Sequence, residues 1–231
     1  MIISHRHRFI FIKTRKTAGT SLEALLARHC GPDDVLTPLV PAVPGHAARN
    51  DRGVWNPLAE TVEALARGDA GALRATVSHL RHRRRYFKHM PAALVRARVG
   101  PQVWRRYTTF CVERNPFDKT LSHFHMLRAR GLAGDFDTYL AAGDLCWNAP
   151  LYTDRAGRVI VDHVLRYEDL DNALGHVLAR LGLPYDGRIG IRAKADTRPA
   201  GAGYRDVLTL RQRRRLEAAF AAECALHGYA F

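Results

Sequence analysis

Two groups of residues in this 231-residue chain are of types and at spacings that could do chemistry. The first is Lys16 with Thr17, Thr20 and Ser21, in the run Lys13-Thr14-Arg15-Lys16-Thr17-Ala18-Gly19-Thr20-Ser21 that follows the apolar stretch Phe9-Ile10-Phe11-Ile12. A full charge and several hydroxyls at a strand-to-helix turn are equipped to hold an anion, because unpaired helix N–H groups and the positive end of the helix dipole point at the same spot. The second group is Arg114 and, two helical turns on, Ser122. A guanidinium fork and a hydroxyl can share one phosphate when the chain bends so that both face one pocket. Taken singly, Arg114 could equally form a salt bridge with Glu113 or Asp118, and Ser122 could be a solvated helix residue.

The elements that must position these groups are legible in the pattern. Thr20 followed by Glu23 fits a capping box, and Leu22, Leu25 and Leu26 recur at helical spacing. A Walker A loop would need glycines where Ile10 and Arg15 stand, so the run is some other anion loop or a capped surface helix. Residues 31–57 are rich in turn formers and are expected to be irregular. Helices are expected over 58–65 and 72–80, and over 91–99 with Gly100-Pro101 as a stop. A second core strand over 107–112 leads to Asn115 as N-cap and Pro116 at N1, with Phe117, Leu121, Phe124 and Leu127 as the buried stripe that follows. A third strand signal runs from 158 to 166, with Leu174, Val177, Leu178 and Leu181 on the next helix. Thr209 and Gln212 open a last long helix ending at Gly228. Strands alternating with helices argue for an α/β fold with a mainly parallel sheet flanked by helices, and for a ligand at the carboxyl ends of its strands.

Composition bounds the rest. With 47% apolar and 25% charged residues the chain suits a globular protein, expected here as one domain over 1–231. Residues 1–8 lead directly into the first strand without a secretory signal pattern, so the expectation is a cytoplasmic protein. Cys30, Cys111, Cys146 and Cys224 lie far apart and are expected to be buried thiols, and the histidines show no zinc-ligand spacing, so no metal is expected. A formal net charge of +14 points to polyanionic or phosphorylated partners: nucleic acid, an anionic glycan, an acidic membrane surface contacted peripherally, or a charged nucleotide. The densest cluster, Arg81-His82-Arg83-Arg84-Arg85-Tyr86-Phe87-Lys88, is most simply a solvated face.

The Lys16 to Ser21 loop resembles the 5′-phosphosulfate loop of sulfotransferases that use 3′-phosphoadenosine 5′-phosphosulfate (PAPS), and Val112-Glu113-Arg114-Asn115-Pro116-Phe117-Asp118-Lys119-Thr120-Leu121-Ser122 resembles their 3′-phosphate motif. Val164-Leu165-Arg166-Tyr167-Glu168-Asp169-Leu170 and Leu181-Gly182-Leu183-Pro184 continue the likeness. The segment from Tyr204-Arg205-Asp206 to His227-Gly228-Tyr229-Ala230-Phe231 is similar to the C-terminus of the carbohydrate-type branch. The resemblance implies a P-loop-type fold, a helical insertion over about 31–106 that shapes the acceptor site, and PAPS as co-substrate. It implies that Arg15, Lys16, Thr17, Ala18, Gly19, Thr20 and Ser21 hold the 5′-phosphosulfate, that Arg114 and Ser122 hold the 3′-phosphate, and that Tyr167 lies near the nucleotide. Arg15 departs from the proline usual there, and Glu113 from an uncharged or basic residue.

Sulfuryl transfer depends on in-line geometry and charge stabilisation, which assigns Lys16 to the leaving phosphate oxygen. The acceptor hydroxyl or amine, expected on a sugar or glycan, must lose a proton. Lys88-His89-Met90-Pro91 resembles a segment carrying a candidate base in some carbohydrate sulfotransferases, which makes His89 first choice; His46, Glu60 and Glu63 are alternatives. Two other functions compete: an ATP-dependent small-molecule kinase, disfavoured by the missing Walker glycines, and a module that binds nucleic acid or anionic glycan, resting on charge alone; the sulfotransferase reading calls for no obligatory nucleic-acid partner.

Overall fold

The computed structural model describes residues 1–40, 42–53, 55–66, 68–82, 85–189 and 203–231. Its elements are β1 (Ile2–Ser4), β2 (Phe9–Ile12), α1 (Gly19–Ala27), β3 (Val35–Leu36), α2 (Pro57–Ala66), α3 (Ala70–Arg81), α4 (Ala92–Arg106), β4 (Thr108–Glu113), α5 (Pro116–Arg128), α6 (Phe136–Ala142) and α7 (Ala149–Tyr152). After them come β5 (His163–Arg166), a 3-10 turn (Tyr167–Asp169), α8 (Leu170–Arg180), α9 (Tyr204–Val207), α10 (Leu210–Ala219) and α11 (Ala221–His227). The strands form one sheet in the order β3-β1-β2-β4-β5.

The sheet is mixed, which corrects the mainly parallel arrangement expected from the sequence. β2, β4 and β5 are parallel, whereas β1 is antiparallel to both β2 and β3. The cause is the N-terminal segment, which is too short for a parallel crossover and folds as a hairpin onto β2. Asp34 staples the turn, accepting from Ser4 Oγ at 2.9 Å and from the His5 and Arg6 amides at 2.6 and 3.2 Å. The same staple brings β3 onto β1, inside a stretch expected to be irregular.

Strand β2 is buried on both sides, so its sequence is a continuous apolar run. Its alternation still sorts side chains between two layers. Phe9 and Phe11 join Leu22 and Leu26 of α1, Phe110 and Val112 of β4, and Leu174, Val177 and Leu178 of α8. Ile10 and Ile12 face the opposite layer with Cys111, Tyr86, Met90, Val95 of α4 and Tyr152 of α7. A third cluster joins Phe117, Leu121 and Phe124 of α5 to Tyr139, Leu216 and Phe220.

Several local expectations need correction. The helical run from Ala92 does stop at Gly100 as expected, because Gly100 takes φ 79° and ψ 164°, but a second helical run follows at once and continues α4 across the kink. Residues 158–161 make only an isolated bridge, Thr153 to Val159, and the strand starts at His163. The C-terminal helix breaks at Phe220 into α10 and α11, although the Thr209–Gln212 capping box is present. The four cysteines are free, with Cys111 and Cys146 buried but Cys30 and Cys224 only half-buried. Among the described residues, no helix is long and apolar enough to cross a membrane.

Candidate functional site

The loop after β2 is built from inward-facing polar groups. Lys13 is buried, with its ammonium ion-paired to Glu23 and within 3.5 Å of Thr20 Oγ1. Its aliphatic stem lies across Gly19, where an added Cβ would come within 2.9 Å of Lys13 Cγ. Glu23 is fully buried and also accepts from Thr37 at 3.0 Å, so it is not available for a capping box. The N-cap of α1 is Ala18, in the left-handed region at φ 55° and ψ 19°, with no side-chain cap bond. This corrects the expected Thr20–Glu23 box: Ala18 rather than Thr20 is the N-cap, and the Glu23 carboxylate is taken by Lys13 and Thr37. It also leaves the first-turn amides without a capping side chain.

The Thr14 hydroxyl donates to the Val112 carbonyl at 2.5 Å, so the proton in its 2.8 Å contact with Thr17 comes from Thr17. The Thr14 hydroxyl therefore ties the loop to β4, and the Thr17 hydroxyl ties the loop to Thr14. Asn148 clamps the Arg15 peptide on both sides, accepting from its amide at 2.8 Å and donating to its carbonyl at 3.0 Å. Lys16 and Ala18 both take positive φ, 60° and 55°, with Thr17 between them outside that region. Such alternation of hand turns successive N–H groups toward one concavity, the geometry of an anion nest. Thr20 and Ser21 are buried at the base of α1, and Arg15 is exposed at the loop mouth.

Arg114 meets this loop directly. Its Nη1 donates to the Lys16 carbonyl at 3.1 Å, across 98 residues of sequence. Nε and Nη2 donate to Asp118 Oδ2 at 2.8 and 2.5 Å, and the guanidinium lies 4.3 Å from the centroid of the Tyr167 ring. Those bonds use three of the five guanidinium N–H donors, leaving two for another acceptor. Ser122 is one turn beyond Asp118 on the same face of α5 and is half-buried. Lys16, Arg114 and Tyr167 thus stand at the carboxyl ends of the three parallel strands.

Beneath them lies a buried ionic network with no forewarning in the motifs. Lys119 is fully buried and donates to Glu113 at 2.9 Å and Glu223 at 2.6 Å. Burial pulls its pKa down, but the two carboxylates outweigh this and hold it above the usual lysine value. Glu113 also accepts from Asn148, from Tyr152 at 2.8 Å and from the Arg114 amide at 2.9 Å. The departure at Glu113 therefore serves the network that carries Asn148, and through it the Arg15 peptide. Lys119 shares the buried side of α5 with Phe117 and Thr120; a lysine in that phase is the one signal that could have revealed the network. The C-terminal segment closes the β4–α5 junction: Asn115 donates to Tyr204 Oη and the Ala230 carbonyl, both at 3.2 Å.

Of the candidate bases, His89 lies against the loop. Its Nδ1 is 2.9 Å from the Lys13 carbonyl, which can only accept, so Nδ1 carries the proton and Nε2 the lone pair. Burial first, then the charges of Lys13 and Lys88, push its pKa down to about 3, against a bond to Lys13 that raises it. His46 is half-buried, is lowered chiefly by burial, and has Nε2 without a hydrogen-bond partner among the described residues. Glu60 is occupied by Arg98, at 2.6 and 3.1 Å. The side chain of Glu63 lies outside the described residues, as do Arg83 and Arg84.

The state of His89 predicts a pH effect. The unfolded chain takes the proton near 6.5 and the folded chain only near 3, so protons favour unfolding between those values. From pH 8 to pH 5 this lowers stability by about 2 kcal/mol. His123 adds to it, being held down to about 4 by burial and by the Lys16 charge. Thermal melts at the two pH values check the effect, and His89→Asn, which keeps a donor for Lys13 and suits φ 58°, flattens the His89 part.

The molecule is thus an α/β protein with a mixed five-stranded sheet, whose sequence motifs converge at the ends of β2, β4 and β5. No family model matches the chain. An uncharacterized protein of Archaeoglobus fulgidus is 32% identical to it over 125 residues, which are 52% of this chain and 100% of that protein. The chain belongs to the same family as this archaeal protein.

Proposed function

We propose that this chain is a PAPS-dependent sulfotransferase that moves the sulfuryl group to a hydroxyl or amine of an acceptor, a sugar or glycan. The observation that supports this most is the 3.1 Å bond from Arg114 to the Lys16 carbonyl, which joins the two motif segments into one cradle. The parallel strands β2, β4 and β5, with an anion loop between β2 and α1, support a P-loop-type core, and α2 to α4 would then be a helical insertion at the acceptor side. The groups present suit a doubly anionic nucleotide: an uncapped helix start, a loop of alternating hand, and two remaining donors on Arg114.

PAPS, when bound, supplies a sulfuryl group on a phosphate leaving group. In the proposed roles, Lys16 and the amides from Arg15 to Ser21 hold the 5′ end, with Lys16 taking up charge on the departing phosphate oxygen. Arg114 and Ser122 hold the 3′-phosphate, and Tyr167 backs the guanidinium. His89 Nε2 accepts the acceptor's proton as the new oxygen–sulfur bond forms and the sulfur–phosphate-oxygen bond breaks. Burial is the main cause that holds the His89 pKa down; anionic charge in the cradle opposes the smaller effects of Lys13 and Lys88, so His89 gains part of its basicity when the site is loaded.

Isothermal titration with 3′-phosphoadenosine 5′-phosphate, ATP and ADP tests the proposal. The 3′-phosphorylated nucleotide is expected to bind best. Arg114→Ala is expected to weaken it about tenfold to a hundredfold, the worth of a charge-assisted contact, with little effect on ATP. Indifference to all three nucleotides, with steeply salt-dependent binding of any polyanion, would overturn it in favour of a polyanion-binding module. Labelled PAPS with a panel of sugars, lipids and small alcohols then identifies the acceptor.

A further inference from the structure

Helices α2 and α3 pack against each other as a hairpin, joined to the rest of the molecule by two ion pairs. Glu60 of α2 grips Arg98 of α4, whose guanidinium lies 4.4 Å from the Trp55 ring centroid, and Asp69 caps α3 while pairing with Arg155. Among the described residues the buried positions are Ala64 on α2 and Thr76 on α3.

The outward faces are nevertheless apolar. On α2, Leu58, Val62 and Leu65 recur at i, i+4 and i+7, and on α3 so do Leu73, Val77 and Leu80. Five of these six are among the exposed large hydrophobic residues of the protein, between 54% and 75% accessible, with Leu73 half-buried. Single exposed leucines are ordinary, but two stripes on adjacent helices mark a surface that meets something. On α3 the stripe shares a groove of about 390 Å³ with Arg74, Arg81 and His82. The helix contains no acidic residue, and the chain as a whole carries +14.

We infer that α3, with its neighbour α2, docks on an anionic lipid surface. An apolar stripe flanked by arginines is the pattern of a helix lying in a membrane interface, where buried apolar area and attraction to anionic headgroups add. Charge decides against a second copy of the chain, since pairing two α3 faces would bring Arg74 and Arg81 against like charges. The proposal does not depend on the sulfotransferase assignment. If both are right, the hairpin holds the strand ends near a membrane-borne acceptor.

Co-flotation of the whole protein with vesicles tests it, using phosphatidylcholine alone and phosphatidylcholine with about 30% phosphatidylglycerol. The protein is expected to float only with the anionic vesicles. Val77→Ser/Leu80→Ser and Arg74→Gln/Arg81→Gln are each expected to weaken binding about tenfold or more, one removing apolar burial and the other headgroup attraction. All four side chains are on the outward side of α3, so thermal melts should be unchanged. No flotation with anionic vesicles overturns the proposal. So does unchanged binding of the Val77→Ser/Leu80→Ser variant, which would mean that diffuse charge alone attracts the lipid. Sedimentation showing a dimer that this variant dissociates, with vesicle binding intact, would assign the face to self-association instead.

Discussion

Lys16→Ala is expected to lower the turnover of sulfuryl transfer about a hundredfold or more, the loss typical when one group that stabilises developing transition-state charge is removed. The KM for PAPS should change far less, because in the proposed roles Arg114 and the loop amides remain to bind the ground state. The fold should survive. Lys16 occupies a left-handed backbone position, and alanine there costs no more strain than lysine. Asn148 still clamps the neighbouring Arg15 peptide from both sides. Single-turnover assays with labelled PAPS and the best acceptor, beside a thermal melt, check both parts. A normal kcat in a folded variant would remove Lys16 from the chemistry. A drop in kcat with a matching loss of PAPS binding would make it a ground-state contact only.

The second large effect concerns stability. Lys119→Met is expected to destabilise the protein by about 3–5 kcal/mol, because it leaves the carboxylates of Glu113 and Glu223 buried without their cation. For a chain of this size the melting temperature should fall by roughly 10 °C. The deficit relative to the parent protein should also depend on pH. Buried carboxylates that have lost their partner take up protons more readily than exposed ones, so the deficit of the variant shrinks as the pH falls toward 5. That is opposite to the acid destabilisation expected from His89 in the parent protein. Glu113→Gln in the Lys119→Met background should recover part of the loss by removing one unpaired charge. Melts of the three proteins at two pH values separate these outcomes. An unchanged melting temperature for Lys119→Met would mean that the network adds nothing to stability.

Both effects converge on the same loop. Asn148 donates to Glu113 and to the Arg15 carbonyl, and its own amide donates to Glu223 at 3.1 Å. Disturbing Lys119 therefore loosens the clamp next to Lys16, and residual activity in Lys119→Met should be lower than its folded fraction alone explains. The site is carried by a charged core, where an uncompensated member costs far more than an exposed ion pair contributes.

Much of this arrangement was legible along the chain. The apolar run Phe9–Ile12, the loop after it and the leucines of α1 mark a strand, a connecting loop and a helix, and each lies where the pattern puts it. Asn115 with Pro116 starts α5 as a side-chain cap, and Phe117, Leu121 and Phe124 are buried. The hairpin β1–β2 and strand β3 were not legible, since Ile2–Ser4 and Val35–Leu36 are too short to carry a periodic signal and are held by pairing across the sheet and by Asp34, which joins the two segments.

By itself, then, the sequence determined what is encoded within about ten residues: the central strands, most helices, the cap at Asn115 and the position of Lys16 in a strand-to-helix loop. Tertiary structure alone decided the partners. Glu23 serves Lys13 and leaves its own helix uncapped, Arg114 spans to Lys16 and Asp118 at once, and His89 comes to rest on the Lys13 carbonyl. The reason is physical. Helix and strand periodicity is a short-range property of the backbone, whereas a buried charge must be neutralised by whichever groups the packed fold brings near, and for Lys119 one of the two carboxylates lies 104 residues away.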